Sequence, residues 1–301
     1  MKRKFREVKL SGDNKDRLLV INEIIEEYQA QGYKLTLRQL YYQLVSRDVI
    51  PNKQAEYAKL SKLLKEGRMG GIVDWDAIED RLRVPKSKAS FDSPADVMDA
   101  AINQYELPRQ KGQNVYLEVW VEKDALSGVL SRVTNKYHVP ILVNRGYSSV
   151  SAMYDAFMRF VRNGAYEGKG VKILYLGDYD LSGLDMIRDI ESRIREFQYG
   201  YDDGTDVEGM PFEVIPIALT LEQIEEYNPP PNTAKRSDPR AAEFIAKFGA
   251  SSWEVDALKP EVLNRILTEA IEDEIDSDMF TEIVSREAAD KAKLRNLKKQ
   301  L

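Results

Sequence analysis

The 301-residue chain contains no cysteine and a single histidine, His138. Without cysteine there is no disulfide frame, thiol nucleophile, redox pair or structural zinc knot, and a histidine-dependent triad would have to use His138. No stretch approaches the roughly 20 apolar residues of a membrane span. The N-terminal MKRKFREVKL is basic but has no apolar run behind it, so it is not a secretory signal. The expectation is a soluble, cytoplasmic protein with no membrane partner, and no internal repeat is visible. What remains for chemistry is carboxylate, phenol, hydroxyl, lysine and arginine. Carboxylates without imidazole or thiolate suit a hard cation such as Mg²⁺.

Hydrophobic residues at 43% and charged residues at 31% allow a buried core and argue against wholesale disorder, and the length suits two domains. The net charge of −6 hides an asymmetry: residues 1–70 carry +6, residues 71–111 carry −2 and residues 112–301 carry −10. A basic N-terminal part on an acidic body is compatible with an anionic polymer meeting one end only.

Within residues 14–31, Leu18, Ile21, Ile24, Ile25 and Tyr28 fall at helical spacing, and Gly32 ends the run. Thr36 reads as the N-cap of a second helix to about Arg47, which Pro51–Asn52 breaks. A third helix over about 53–68 precedes Gly70–Gly71 and a short extended stretch, 71–75. Three short helices, a glycine turn and an extended stretch fit a winged-helix module, taken as a domain over residues 1–95. On the third helix Tyr57, Leu60 and Leu64 make an apolar stripe, while Lys59, Lys62, Lys65 and Arg68 recur every third residue. That series is either a DNA-facing row or a solvated lysine face. The polar, proline-punctuated segment 83–114 reads as a link.

From residue 115 apolar strands alternate with helices: VYLEVWV, PILVN, VKILYLG and FEVIPIAL, separated by helices over about 125–135, 149–163 and 182–197. The fold class is therefore α/β, a mostly parallel sheet covered by helices, as a domain over 112–301. Residues 228–240 read as a loop and the remainder as a helical C-terminal extension.

Functional groups in such sheets gather at the carboxyl ends of the strands. Glu122 ends the first strand, Asp178 ends the third, and Asp180 two residues on points to the same side. Together they are a Mg²⁺ donor set, the alternative being aspartates that merely cap the next helix. The D-x-D does not fit a haloacid-dehalogenase-type phosphatase, because it falls on the third strand and is followed by Leu181–Ser182. GAYEGK at 164–169 is one residue short of a phosphate loop and precedes its strand. In WEVDAL (253–258) a core Trp with flanking surface acids is expected, against the alternative that Glu254 or Asp256 faces the same site.

The second helix holds a tyrosine pair. Tyr41 lies on the apolar stripe with Leu37, Leu40, Leu44 and Val45, whereas Tyr42 shares its side with Arg38 and Ser46 and is expected to be exposed. An exposed Tyr beside Arg could contact a phosphate, do nothing, or act as a nucleophile, the last needing help to lose a proton of pKa about 10.

VEKDAL, ILVNRGYSS and LYLGDYDLSG, in that order, resemble the Toprim domain of the A subunit of type IIB DNA topoisomerases (topoisomerase VI) and of the related meiotic double-strand-break transesterase. Upstream, the T-x-R-x-x-Y-Y of Thr36–Tyr42 resembles that family's catalytic winged helix. The similarity spans most of residues 30–200 and is closest to compact A-like forms. The resemblance implies Tyr42 as nucleophile with Arg38 assisting, Glu122, Asp178 and Asp180 on Mg²⁺, and Arg145 near the DNA. It implies double-stranded DNA as substrate and a nucleoid location. It further implies a homodimer in which the tyrosine of one copy meets the metal site of the other, and a possible GHKL-type ATPase B subunit on another chain. The expected chemistry is a double-strand break through a 5′-phosphotyrosyl link. A Toprim-type hydrolytic nuclease and a non-catalytic DNA-binding protein are the alternatives.

Overall fold

A computed structural model describes residues 1–79, 88, 90–144, 146–233 and 251–299. Helices α1 (Gly12–Ala30), α2 (Leu37–Ser46) and α3 (Gln54–Met69) pack around Leu18, Ile21, Ile24, Ile25, Leu40, Leu44, Leu60 and Leu64. Thr36 caps α2 in a capping box: its hydroxyl accepts from the Gln39 amide at 3.2 Å, and the Gln39 side chain accepts from the Thr36 amide at 2.9 Å. The extended stretch expected at 71–75 is instead turn and bend. Single bridges tie the neighbourhood together, Lys4 to Gly70 and Leu35 to Ile78. The supposed link is also more structured than its composition suggests, because Pro94–Gln104 forms helix α4, begun by Pro at its first turn and capped by Ser93.

The sheet has four parallel strands, β1 (Val115–Val121), β2 (Ile141–Val143), β3 (Gly170–Leu176) and β4 (Phe212–Ala218), in the order β2-β1-β3-β4. Helices α5 (Asp124–Tyr137), α6 (Val150–Asn163) and α7 (Leu181–Gly200) follow β1, β2 and β3. Along β1 the alternation sends Leu117, Val119 and Val121 into a core with α5, and Tyr116 and Trp120 into a second core with α6 and α7. Both faces are thus covered, which is why the strands read as unbroken apolar runs.

After β4 come α8 (Leu221–Tyr227) and the short antiparallel pair β5 (Asn232–Thr233) and β6 (Ser251–Ser252), then a single 3-10 turn at Val255–Ala257. Part of the expected 228–240 loop is therefore strand, and 234–240 lies outside the described residues. Helix α9 (Pro260–Glu272) puts Leu263, Ile266, Leu267 and Ile271 into the first core beside α5. Helix α10 (Ser277–Lys298) returns to the segment after α4, where Glu287 accepts from the Leu107 amide (2.8 Å) and pairs with Arg109 (2.8 Å). Among the described residues no helix is long and apolar enough to cross a membrane. His138 closes α5 in the left-handed region (φ 51°) and pairs with Glu106.

Candidate active site

β1 and β3 run level in register, Val121 opposite Leu176, so the residues just past them meet at the carboxyl edge of the sheet. The Glu122 amide donates to the Leu176 carbonyl (2.9 Å), and the Asp178 amide donates to the Glu122 carboxylate (3.1 Å). Asp180 is the N-cap of α7 and accepts from the Gly183 amide at 2.8 Å. The capping alternative therefore holds for one oxygen of Asp180, whereas Asp178 points elsewhere. A Cβ at position 183 would lie 2.1 Å from the Asp178 carbonyl oxygen, so this tight turn requires glycine.

A segment from far along the chain completes the edge. Tyr179 and Trp253 exchange two backbone hydrogen bonds (2.8 and 3.1 Å), and the Val255 amide donates to Asp178 Oδ1 at 2.9 Å. This stitching delivers Glu254 and Asp256 into the site, contrary to the expectation of surface acids. Asp256 is fully buried, and Glu254 touches four side chains. Lys123, the residue after Glu122, reaches Asp178 (2.7 Å), Glu254 (2.7 Å) and Asp256 (3.3 Å). From the other side Arg38, in the first turn of α2, places Nε 2.6 Å from Asp256 Oδ2 and a terminal nitrogen on Glu254. Asn232 donates to Glu254 at 3.0 Å and is linked through Asn52 to the Tyr41 hydroxyl.

Tyr42 is not exposed. Only 4% of it meets solvent, it stacks edge-on against Tyr41, the Arg38 guanidinium lies 5.6 Å from its ring centre, and its hydroxyl hydrogen-bonds Glu254. Periodicity misjudged it because α2 is covered on two sides: by its helical neighbours, and by the 3-10 turn whose Ala257 joins the same core.

Electrostatics follow from this packing. Burial raises the Tyr42 phenol above its ordinary value, and the hydrogen bond to Glu254 and the charges of Glu254 and Asp256 add to it, outweighing Arg38. Burial likewise works against an ionised Glu254, yet Lys123, the Tyr42 hydroxyl and Arg38 hold it down at about 2. Burial pushes Asp178 up to about 7, with Glu122 and Asp256 adding and Lys123 opposing. Glu122 is raised by burial too, with Asp180 and Asp256 contributing. Despite burial, Lys123 and Arg38 are held more firmly protonated by the surrounding carboxylates.

Glu122, Asp178 and Asp180 offer only carboxylate oxygens, the donor chemistry magnesium takes, and the upward pull on the first two is what an added cation relieves. Among the described residues, no group of three or more acidic or imidazole side chains stands positioned around one metal point. Asp178 instead has Lys123 on one oxygen and the Val255 amide on the other, so the lysine supplies its counter-charge.

The basic row of α3 divides. Steps of three residues fall short of the 3.6-residue turn, so four such positions spiral halfway round the helix. Lys65 and Arg68 line a cleft of about 720 Å³ with Thr36, Arg38, Tyr57 and Asp124, beside the acid cluster. Lys59 and Lys62 line a separate cavity, and Lys59 pairs with Glu56 at 2.7 Å. Arg68 is half-buried, stacked 4.5 Å from the Trp75 ring and donating to the Trp75 carbonyl at 2.8 Å. Arg145 lies outside the described residues.

Lys123 was passed over in the sequence, and Glu254 was weighed, with Asp256, only as the alternative to a surface acid. Their signals were a cation abutting a strand-end acid and an acid pair two apart in an extended stretch, the spacing of Asp178 and Asp180. Comparison of the chain with protein-family models and with curated proteins finds no match.

Proposed function

We propose that the protein is a DNA transesterase that cleaves duplex DNA through Tyr42, working as a homodimer of a winged-helix part and a Toprim-type α/β part. The observation that carries this reading is the meeting of two motifs remote in sequence. Arg38 and Tyr42 of α2 and Lys123 beside Glu122 and Asp178 share the same two carboxylates, Glu254 and Asp256.

In the proposed step the Tyr42 oxygen bonds to a backbone phosphorus, the phenol proton leaves, and the bond to the 3′-oxygen breaks, that oxygen taking a proton. A 5′-phosphotyrosyl link and a free 3′-hydroxyl remain, and a second copy acting on the other strand makes the break double. Arg38 and Lys123 offset the negative charge that builds on the phosphoryl oxygens. Glu122, Asp178 and Asp180 would hold Mg²⁺, which supplies Lewis-acid stabilisation of that same charge. Lys65 and Arg68, lining the cleft beside Arg38, guide the duplex.

The test is to incubate supercoiled DNA with protein and Mg²⁺, denature, and recover protein-linked broken DNA. Tyr42→Phe is expected to abolish the covalent adduct, and an adduct that persists undiminished removes Tyr42 as nucleophile. Dependence of DNA relaxation on added GHKL-type ATPase and ATP reports whether such a partner takes part. One observation favours a second reading, hydrolytic cleavage. Tyr42 is buried and its phenol hard to ionise, so a water nucleophile needs no rearrangement of α2. Breaks that carry no protein, survive Tyr42→Phe and vanish in Asp178→Ala identify that case.

A further inference from the structure

The two cations and the phenol that the proposed chemistry would place at a reacting phosphate, Arg38, Lys123 and Tyr42, hold the Glu254 carboxylate instead. A terminal nitrogen of Arg38 and the ammonium of Lys123 both contact Glu254 Oε2, the ammonium at 2.7 Å, and the Tyr42 hydroxyl hydrogen-bonds the same carboxylate. A planar carboxylate and the two non-bridging oxygens of a phosphodiester present similar paired acceptors to a guanidinium fork. Arg38 is also the one of these groups that opens to the outside: its side chain is 40% exposed and lines the cleft of about 720 Å³ shared with Lys65 and Arg68.

We propose that Glu254 is an internal stand-in for substrate, its carboxylate occupying the seat of the DNA phosphodiester between Arg38, Lys123 and Tyr42, from which entering DNA must displace it. The proposal rests on the reading of Tyr42 as nucleophile for its purpose, but the seat itself is defined by the two cations. Glu254 then has two effects in the resting chain. It competes with DNA for Arg38 and Lys123, and it keeps Tyr42 neutral by accepting its hydrogen bond. When phosphate takes the seat, Tyr42 loses its carboxylate partner and faces the phosphorus. Asp256, buried and paired with Arg38 Nε at 2.6 Å, stays behind to keep the guanidinium aimed. Asn232, which donates to Glu254 Oε1 at 3.0 Å, offers the carboxylate an anchor on the side away from Lys123.

The experiment measures binding of a short duplex oligonucleotide by fluorescence anisotropy in EDTA, with Tyr42→Phe as background so that no chemistry intervenes. Glu254→Gln, which keeps the shape and the Asn232 contact but loses the charge, is expected to bind about tenfold more tightly. The slope of log affinity against log salt should steepen by about one, since a freed cation now meets phosphate. Adding Arg38→Ala should remove the gain, a coupling that a merely structural role for Glu254 does not produce. Glu254→Asp, one methylene shorter and drawn back from the cations, should move in the same direction by less, and it serves if the glutamine variant does not fold by circular dichroism. Unchanged or weaker binding in the Glu254 variants, a gain that survives Arg38→Ala, or no duplex binding by any form overturns the proposal. Tighter binding of Glu254→Gln together with no covalent adduct in the cleavage assay leaves the phosphate seat standing and removes only the nucleophile.

Discussion

Removing the Lys123 ammonium should show how much of the site is held by charge. Lys123→Met keeps the aliphatic stem and deletes the one cation, among the described residues, that touches Asp178, Glu254 and Asp256 together, at 2.7, 2.7 and 3.3 Å. Its side chain is 16% exposed and its partners are 10, 22 and 0% exposed, so solvent screens these pairs little. Breaking a buried pair by deleting one partner costs about 3–5 kcal/mol, because the stranded charges stay behind. Arg38 still serves Glu254 and Asp256, so the loss should fall mainly on Asp178. That places a pH signature on the variant. The folded-state pKa of Asp178 is raised, to about 7, so its contribution to stability is complete below the ordinary aspartate value and is lost as pH rises through 7. Lys123 opposes that rise, so the methionine variant should hold the Asp178 proton to higher pH still. At pH 5 Asp178 is neutral in both proteins and its pairing with Lys123 no longer counts. Urea unfolding in EDTA, followed by tryptophan fluorescence, should therefore show a penalty about 1–2 kcal/mol smaller at pH 5 than at pH 8. A loss under about 1 kcal/mol at pH 8, or one that does not change with pH, refutes the idea that this lysine neutralises Asp178.

Three further outcomes follow from the geometry. Glu118 on β1 is fully buried and accepts from Arg159 twice (2.8 and 2.9 Å), Tyr116 (3.0 Å) and Trp120 (2.9 Å). Glu118→Gln turns an amide toward two of those donors, so thermal or urea unfolding should show a loss of about 3 kcal/mol. Thr36→Ala removes the hydroxyl half of the capping box and should cost about 1 kcal/mol, seen as faster amide exchange in the first turn of α2. Gly183→Ala forces a Cβ against the Asp178 carbonyl and should lower stability by about 2 kcal/mol or more and weaken the proposed DNA cleavage with it, while wild-type stability in urea unfolding would show the turn to be pliable.

The α/β class, the parallel sheet and the strand-end acids were legible because each depends on local pattern. Unbroken apolar runs such as VYLEVWV mark strands buried on both faces, and Glu122 and Asp178 are placed simply by following such runs. Helix α4 was hidden by its surroundings, since proline and serine that read as breakers are the cap and first turn of a helix. Tyr42 was misjudged because periodicity describes one covered face, and the second cover of α2 comes from residues more than 200 positions away. Nothing near residue 38 announces that Arg38 meets Asp256. The same limit applied to WEVDAL, whose acids look like surface residues until Trp253 is bridged to Tyr179.

The long reach of that bridge has a consequence for synthesis. Arg38 finds Glu254 and Asp256 across 216 and 218 positions of chain, and Lys123 finds them across 131 and 133. At bacterial-to-eukaryotic translation speeds, Arg38 leaves the ribosome roughly 10–45 s before Asp256 does. Helix α2 therefore spends that interval with its tyrosine side uncovered, and the four-charge knot closes only in the last stage of chain growth. A ribosome stalled between β4 and β6 would leave a nascent chain with a formed α2 and sheet edge but no knot, the state in which misassembly or a chaperone would meet the Tyr42 face first.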